Sequence, residues 1–570
     1  MGRLSPTKGL IFLYGLAVFA WWIRYHPPGV ELLVFDDDAR QHVYWTARFQ
    51  DPVLFQADLL TSFISSELFA PLGYRLIYEL GIGRLLIDPL PFSQLLTLIL
   101  LLISLWLLSE LSKGLIADGR GRTFLLGLFL FFSLYDASGG FPRTFAFPLL
   151  VSFVLLLEKG AFRWASVIII FEALLYPPIV LNTMALAGWD LAGGLFGFAK
   201  KRRDVQGEGE AVDRAGFRAW VGDLVSLAAA VALTILLLLS TYGGQGGDIP
   251  GRQVTLEEAR AMPEFHPGGR SAFFSGSLTG YLLVGRSGIG AVHLIGFAII
   301  LTAMGLVIGF RRIVIPALAL RLTWTSLMLF GAAHLLLFRL HLPSRYTLYT
   351  LPLAFMLTIG ANTGRFLDSL LPKWERIRSK AFSGGVPRRL SWAIFGGLLL
   401  GYAYVQGHYI CRFDTQVVAL EPVEREMLSF LEGLPKDALV AGHPMDMDNV
   451  PLLARRKVLA NRELSLPYYV GYYTEVRRRL LDMLAAYYAT DWREIEAFAN
   501  RYRVDAMVVR KAHFDESFTR GSIYLEPFNN LVKIRWKGGE HFVLADPPRS
   551  FRCFENERFI VVCLRGGGEN

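Results

Sequence analysis

The densest run of reactive groups in the chain is Phe35-Asp36-Asp37-Asp38-Ala39-Arg40-Gln41-His42. Three adjacent carboxylates repel one another, which raises the proton affinity of at least one of them or favours a bound cation. The first effect suits a general base, and the second suits a ligand set for a divalent ion such as Mg²⁺ or Mn²⁺. The competing reading is an acidic helix cap, because Asp at a helix start accepts orphan amide hydrogens. A cap needs one Asp, and here there are three.

These residues follow the first of many apolar runs. The 570 residues are 53% hydrophobic and 19% charged, with a mean hydropathy of +0.39, a balance that excludes a purely soluble protein. The apolar residues gather into stretches of roughly 20, enough to cross about 30 Å of hydrocarbon. Spans are predicted at 9–23, 93–109, 123–135, 144–157, 164–177, 179–198, 221–241, 289–310, 313–338, 347–364 and 392–409, about eleven in all. The first follows Arg3 and Lys8 but lacks an A-x-A cleavage pattern, so it reads as a retained anchor.

Charge orients the spans. With the amino terminus in the cytoplasm, the inner segments 1–8, 110–122, 158–163, 199–219, 311–312 and 361–391 carry 22 Lys and Arg in 81 residues. The opposite segments 24–92, 136–143, 242–288 and 339–346 carry 12 in 132. This is the inside-positive bias of a multi-pass plasma-membrane (inner-membrane) protein. It accounts for the net charge of +9 and the pI near 9.3 without a nucleic-acid partner. Tyr176-Pro177-Pro178 interrupts the long apolar stretch 164–198 as a turn or a kink, since proline cannot donate to a helix ladder. Glu172 and Arg321 fall within spans, where charges are costly and default to functional sites or mutual pairs. A Glu172–Arg321 pair is one expectation.

The fold class is therefore a polytopic α-helical membrane protein with a small C-terminal α/β domain on the outer side. Its transmembrane domain is 1–410, with a long first outer loop at 24–92, and its soluble domain is 411–570. The loop is too polar to span and too apolar to float, which suits amphipathic helices on the membrane surface. In the soluble domain, the helical pattern 424–434 leads to a short strand at 438–442, and 492–502 leads to another at 506–509. The tail 551–564 reads as a hairpin turning at Glu555-Asn556-Glu557. Cys411, Cys553 and Cys563 form no CxxC pair, and Cys553 and Cys563 do not fall opposite each other about that turn, so both are expected unpaired. No GxxxxGK[ST], HExxH or GxSxG occurs, no GxGxxG follows a strand, and the ten histidines are scattered.

The acidic run after the first span, the surface-helix character of its loop, and the ending Phe498-Ala499-Asn500-Arg501-Tyr502-Arg503-Val504-Asp505-Ala506-Met507-Val508-Val509 together resemble the GT-C superfamily of integral-membrane glycosyltransferases. The closest type is the bacterial members with ten to thirteen spans and a C-terminal extracytoplasmic domain. The resemblance implies an enzyme that transfers a sugar, with inversion, from a polyprenyl-phosphate donor to a glycan, lipid or protein acceptor at the outer face. One of Asp36, Asp37 and Asp38 would deprotonate the acceptor hydroxyl, and a divalent metal at the same carboxylates occurs in some members. Among the three, Asp37 is flanked by charge on both sides and is the first choice.

A leaving lipid phosphate needs a cation, and arginine offers a planar fork for it. Arg345, Arg143 and Arg270 lie near the predicted outer boundary, with Arg345 the first choice, and Arg40 and His42 stand beside the carboxylates. Two other readings compete: a transporter or flippase of lipid-linked saccharides, using intramembrane charge and broken spans, and a non-catalytic cell-envelope assembly protein. No repeated halves support the transporter.

Overall fold

The computed structural model describes residues 6–27, 31–132, 138–204, 214–242, 251–340, 342–381, 417–534 and 541–565. The expected span 392–409 and Cys411 lie outside them. Two compact units divide the chain.

The first unit comprises Met1–Arg24, Leu96–Thr241 and Leu282–Tyr409. Its core is almost wholly aliphatic and aromatic, with Leu101, Leu105, Leu108, Phe129, Leu150, Val154, Ile169, Leu322, Leu353 and Leu357 buried together. Among the described residues, four helices are long and apolar enough to cross a membrane: Pro89–Leu115, Pro177–Phe196, Gly216–Ser240 and Ala317–Leu335. Gly9–Tyr25 and Leu294–Ile308 are shorter and apolar. The expected count of about eleven spans is not reproduced. Helices do form at 119–132, 146–158 and 162–175, but at 1.5 Å per residue each extends only about 20 Å.

The break at Tyr176 is real. One helix ends at Leu175, Pro177–Ile179 forms a single turn, and the next helix starts at Val180. Tyr176 sits at φ −150°, ψ 81°, outside the helical region that a following proline disfavours for its predecessor.

The predicted Glu172–Arg321 pair does not form. Glu172 is fully buried and accepts a hydrogen bond from Thr183 Oγ1. Arg321 instead binds Glu158, and Asp190 at 3.1 Å. Arg321 finds its partners 163 and 131 residues away in the chain and Glu172 takes a neutral hydroxyl, which spacing along the sequence does not reveal. The helices Gly119–Phe132 and Thr350–Ala381 cross where Gly121 meets Gly360: a side chain at position 121 would collide with the Gly360 carbonyl.

The second unit comprises Tyr25–Leu95, Tyr242–Tyr281 and Ile410–Asn570. Strand β1 (Leu33–Asp36) pairs antiparallel with β2 (Val417–Leu420), Asp36 opposite Val417. The remaining strands β3 (Leu439–Gly442), β4 (Lys457–Val458), β5 (Ala506–Arg510), β6 (Arg552–Glu555) and β7 (Phe559–Cys563) form one sheet in the order β4-β3-β5-β7-β6. β3 runs parallel to β4 and β5, while β7 runs antiparallel to β5 and β6. The central strands β5 and β7 are buried along nearly their full length, which explains their unbroken apolar sequences.

Helix Trp492–Tyr502 buries Ile495, Phe498 and Ala499, starts at an Asp491 cap, and stops at Arg503, which takes the left-handed conformation. Phe63 stacks on Tyr472 with centroids 3.5 Å apart, Lys436 pairs with Asp51 at 2.5 Å, and Tyr473 donates to Glu264 at 3.1 Å. All three chain segments of this unit thus share one core. In the loop, Leu72, Leu76 and Leu80 are exposed on one side while Tyr74, Tyr78 and Ile82 are buried on the other, an apolar outer stripe of the kind that lies on a bilayer.

The expectation that Cys553 and Cys563 stay unpaired is overturned: they form a disulfide, with Cα atoms 5.9 Å apart. The cause is a bulge. Arg552 pairs with Val562 and Phe554 with Val561, so Cys553 is the extra residue, lifted out of the ladder toward Cys563.

Candidate active site

Strand β1 ends at Asp36, and the chain turns at once into the short helix Ala39–His42. Asp36 is buried and accepts a hydrogen bond from the Tyr25 hydroxyl. Asp38 occupies the cap position of the helix without a side-chain capping bond. By contrast Asp58, at the start of helix Leu59–Ile64, caps it through Thr61 N at 2.9 Å. The capping interpretation therefore applies to Asp58 and fails for Asp38.

The carboxylates of Asp37 and Asp38 meet that of Glu463, with one oxygen from each within 4.8 Å of the others. Arg40, 8% exposed, pairs with Asp37, with Glu463 at 3.4 Å and with Asp448 at 3.7 Å. Gln41 Nε2 donates to Glu463 Oε2 at 2.6 Å. Arg270 reaches the same Glu463 oxygen at 3.1 Å and is held in place by the carbonyls of Arg462 at 2.6 Å and Glu463 at 3.1 Å. Asp448, buried beneath them, accepts the Glu463 amide at 2.9 Å.

Four carboxylates (Asp37, Asp38, Asp448 and Glu463) thus gather around Arg40 and Arg270, with Arg462 also acting on Asp37. Burial, followed by repulsion from Glu463, pushes the Asp37 carboxyl up to about 6 against the pull of Arg40. Burial raises Asp448 to about 7, with Arg40 opposing and Glu463 adding to the rise. Such a cluster offers the oxygen donors that bind a hard divalent cation.

The other sequence candidates divide between the units. Arg270 and Arg40 both belong to the acidic cluster and take carboxylate partners there. His42 follows Gln41 on the same short helix, and its carbonyl accepts the Tyr74 hydroxyl at 2.9 Å. Arg143 and Arg345 lie in the first unit, each on a single turn opened by a proline, Pro142–Phe145 and Pro343–Tyr346. The Tyr349 hydroxyl donates to the Arg143 carbonyl at 3.2 Å, and Arg143 lies over the Phe141 ring at 5.2 Å.

Asp448 and Glu463 are the residues that sequence reasoning missed. Asp446-Met447-Asp448 is an acidic pair, but nothing in its spacing connects it with a segment 411 residues earlier.

No family model matches the sequence, and no curated protein matches it. Solved structures match at low identity. The archaeal oligosaccharyltransferase AglB from Archaeoglobus fulgidus, in complex with an inhibitory peptide and a dolichol-phosphate, is similar at 12% identity over 93% of this chain and 72% of that one, with a TM-score of 0.48. The Archaeoglobus fulgidus oligosaccharyltransferase in complex with Zn and sulfate is similar at 13% identity, covering 91% and 70%, with a TM-score of 0.43. The arabinofuranosyltransferase AftD from Mycobacteria is similar at 15% identity over 90% of this chain, with a TM-score of 0.45, and this chain spans 35% of its length. Likeness at these levels carries no assignment of activity, substrate or metal.

Proposed function

We propose that the protein is an inverting membrane glycosyltransferase of the GT-C type, drawing sugar from a polyprenyl-phosphate donor at the outer face of the plasma membrane. The observation that supports it is the convergence of Asp37, Asp38 and Glu463, with Asp37 held at a raised proton affinity on a rigid strand-to-helix turn.

Asp37 is the base. The acceptor hydroxyl oxygen bonds to the anomeric carbon as the bond from that carbon to the phosphate oxygen breaks. The hydroxyl proton passes to Asp37, and the electron pair leaves on the lipid phosphate. A carboxyl with affinity near 6 is matched to this work at neutral pH, ionised yet basic. Arg40 fixes its orientation, and Arg270 and Gln41 fix Glu463. A divalent cation held by Asp38 and Glu463, beside Asp37, would offset the excess charge and attract the donor phosphate. Arg345 and Arg143 are assigned the anchoring of an anionic headgroup in the first unit.

The experiment is to incubate the purified protein with a panel of radiolabelled polyprenyl-phosphate sugars and measure transfer or hydrolysis, with and without chelator. Turnover of at least one donor that is lost in Asp37→Asn is the expected result. If no donor turns over, or turnover is unchanged in Asp37→Asn, Asp38→Asn and Glu463→Gln alike, the proposal fails. Loss on chelation with rescue by Mg²⁺ or Mn²⁺ would identify the cation as part of the site.

A further inference from the structure

The loop that leaves β3 carries a second cluster, of different chemistry. His443 is fully buried, and Asp446 and His513 are 6% and 7% exposed. One ligand atom from each lies within 4.8 Å of the other two. His443 Nε2 faces the Ile523 carbonyl at 3.0 Å. A carbonyl can only accept, so Nε2 carries the proton and Nδ1 presents its lone pair. That Nδ1 is buried and makes no hydrogen bond, and the same holds for Asp446 Oδ2. The other Asp446 oxygen is occupied by Arg510 Nε at 2.8 Å, and the charge of Arg510 is shared with Glu424 at 3.1 Å.

His513 Nδ1 lies 3.7 Å from Asp446 Oδ2 and 3.2 Å from the Tyr487 hydroxyl. That hydroxyl also accepts the Arg510 amide at 2.9 Å, which holds it beside the imidazole. Two buried acceptors without a hydrogen-bond partner, His443 Nδ1 and Asp446 Oδ2, therefore converge beside the His513 imidazole, an arrangement that is costly to leave bare.

We propose that His443, Asp446 and His513 bind a divalent transition-metal ion of the zinc type. Two imidazoles and a carboxylate are a borderline-soft set that suits zinc far better than magnesium or calcium. A ring nitrogen turned onto a backbone carbonyl, as His443 Nε2 is, is the usual outer support of a metal-bound imidazole. The site would act as a clasp. Residues 443–448 run from one cluster to the other, so an ion at Asp446 fixes the turn that delivers Asp448 to Arg40.

The test is independent of catalysis. The full-length protein, purified in detergent and stripped with a chelator, is reloaded with zinc against a large excess of Mg²⁺, and bound metal is measured by elemental analysis. One zinc per chain is expected, falling to background in His443→Ala and in His513→Ala, and unchanged in Asp38→Asn. Should the alanine variants not fold, cobalt loading of the unmodified protein decides: visible absorption of a nitrogen-ligated, low-coordinate ion is expected. No retained zinc and no such absorption overturns the proposal, as does zinc that is lost with Asp38→Asn and kept without His443.

Discussion

Asp37 and Asp58 are both loop aspartates ahead of short helices, and their substitution is expected to fail in opposite ways. Asp58 holds Thr61 N at 2.9 Å and Thr61 Oγ1 at 2.6 Å, so Asp58→Ala should cost about 0.5 to 2 kcal/mol of stability, read by thermal unfolding in detergent. Asp37→Asn keeps shape but removes proton acceptance. Transfer should fall by roughly 10² to 10⁴ while the melting temperature holds, and a stability loss equal to that of Asp58→Ala would mean that Asp37 is merely structural.

The pH dependence has a definite sign. With its carboxyl raised to about 6, Asp37 is protonated below that pH and cannot accept a proton. The rate should therefore drop about tenfold per pH unit on the acid side and level off above about 7. Residual activity in Asp37→Asn should lack this limb; an acid limb of unchanged midpoint in that variant would assign it to another group. The acidic run stood out because a helix cap needs one Asp and three stand in sequence. Its partners did not: Glu463 follows Arg462 in an unremarkable polar stretch, and only folding shows that it meets Gln41.

At the scale of elements, the strands β3 and β5 and the hairpin of β6 and β7 follow their sequences closely, because alternating or continuous apolar runs bounded by Gly, Pro and Asn leave few alternatives. What could not be read was the bulge at Cys553, one residue that shifts a register, and the shortness of helices such as Ala146–Glu158, whose 13 residues extend only about 20 Å. The crossing of helix Gly119–Phe132 with Thr350–Ala381 rests on two glycines. Gly121→Val should clash with the Gly360 carbonyl and destabilise the first unit by about 1 to 3 kcal/mol. Gly127→Ala on the same helix, where an added methyl meets nothing within 4 Å, should be neutral or stabilising by up to about 1 kcal/mol. Equal melting temperatures for the two variants would show that the close crossing does not matter.

At the scale of the molecule, the prediction is one of sidedness. A cysteine introduced at exposed Asp491 should react with a membrane-impermeant maleimide in intact cells, because the basic segments favour an inner amino terminus. Protection until the membrane is permeabilised would reverse the assigned orientation. The second unit also has a temporal consequence. It is built from three separated stretches of chain, and Arg40 and Glu463 stand 423 residues apart. At 5 to 20 residues per second, roughly 20 to 85 s pass on the ribosome between them. Throughout that interval β1 has no partner strand and the acidic turn has no Glu463 to share its charge. On the proposed function, the nascent protein can neither bind a cation at this cluster nor hold Asp37 in its working state until most of the chain has been made and its distant parts have met.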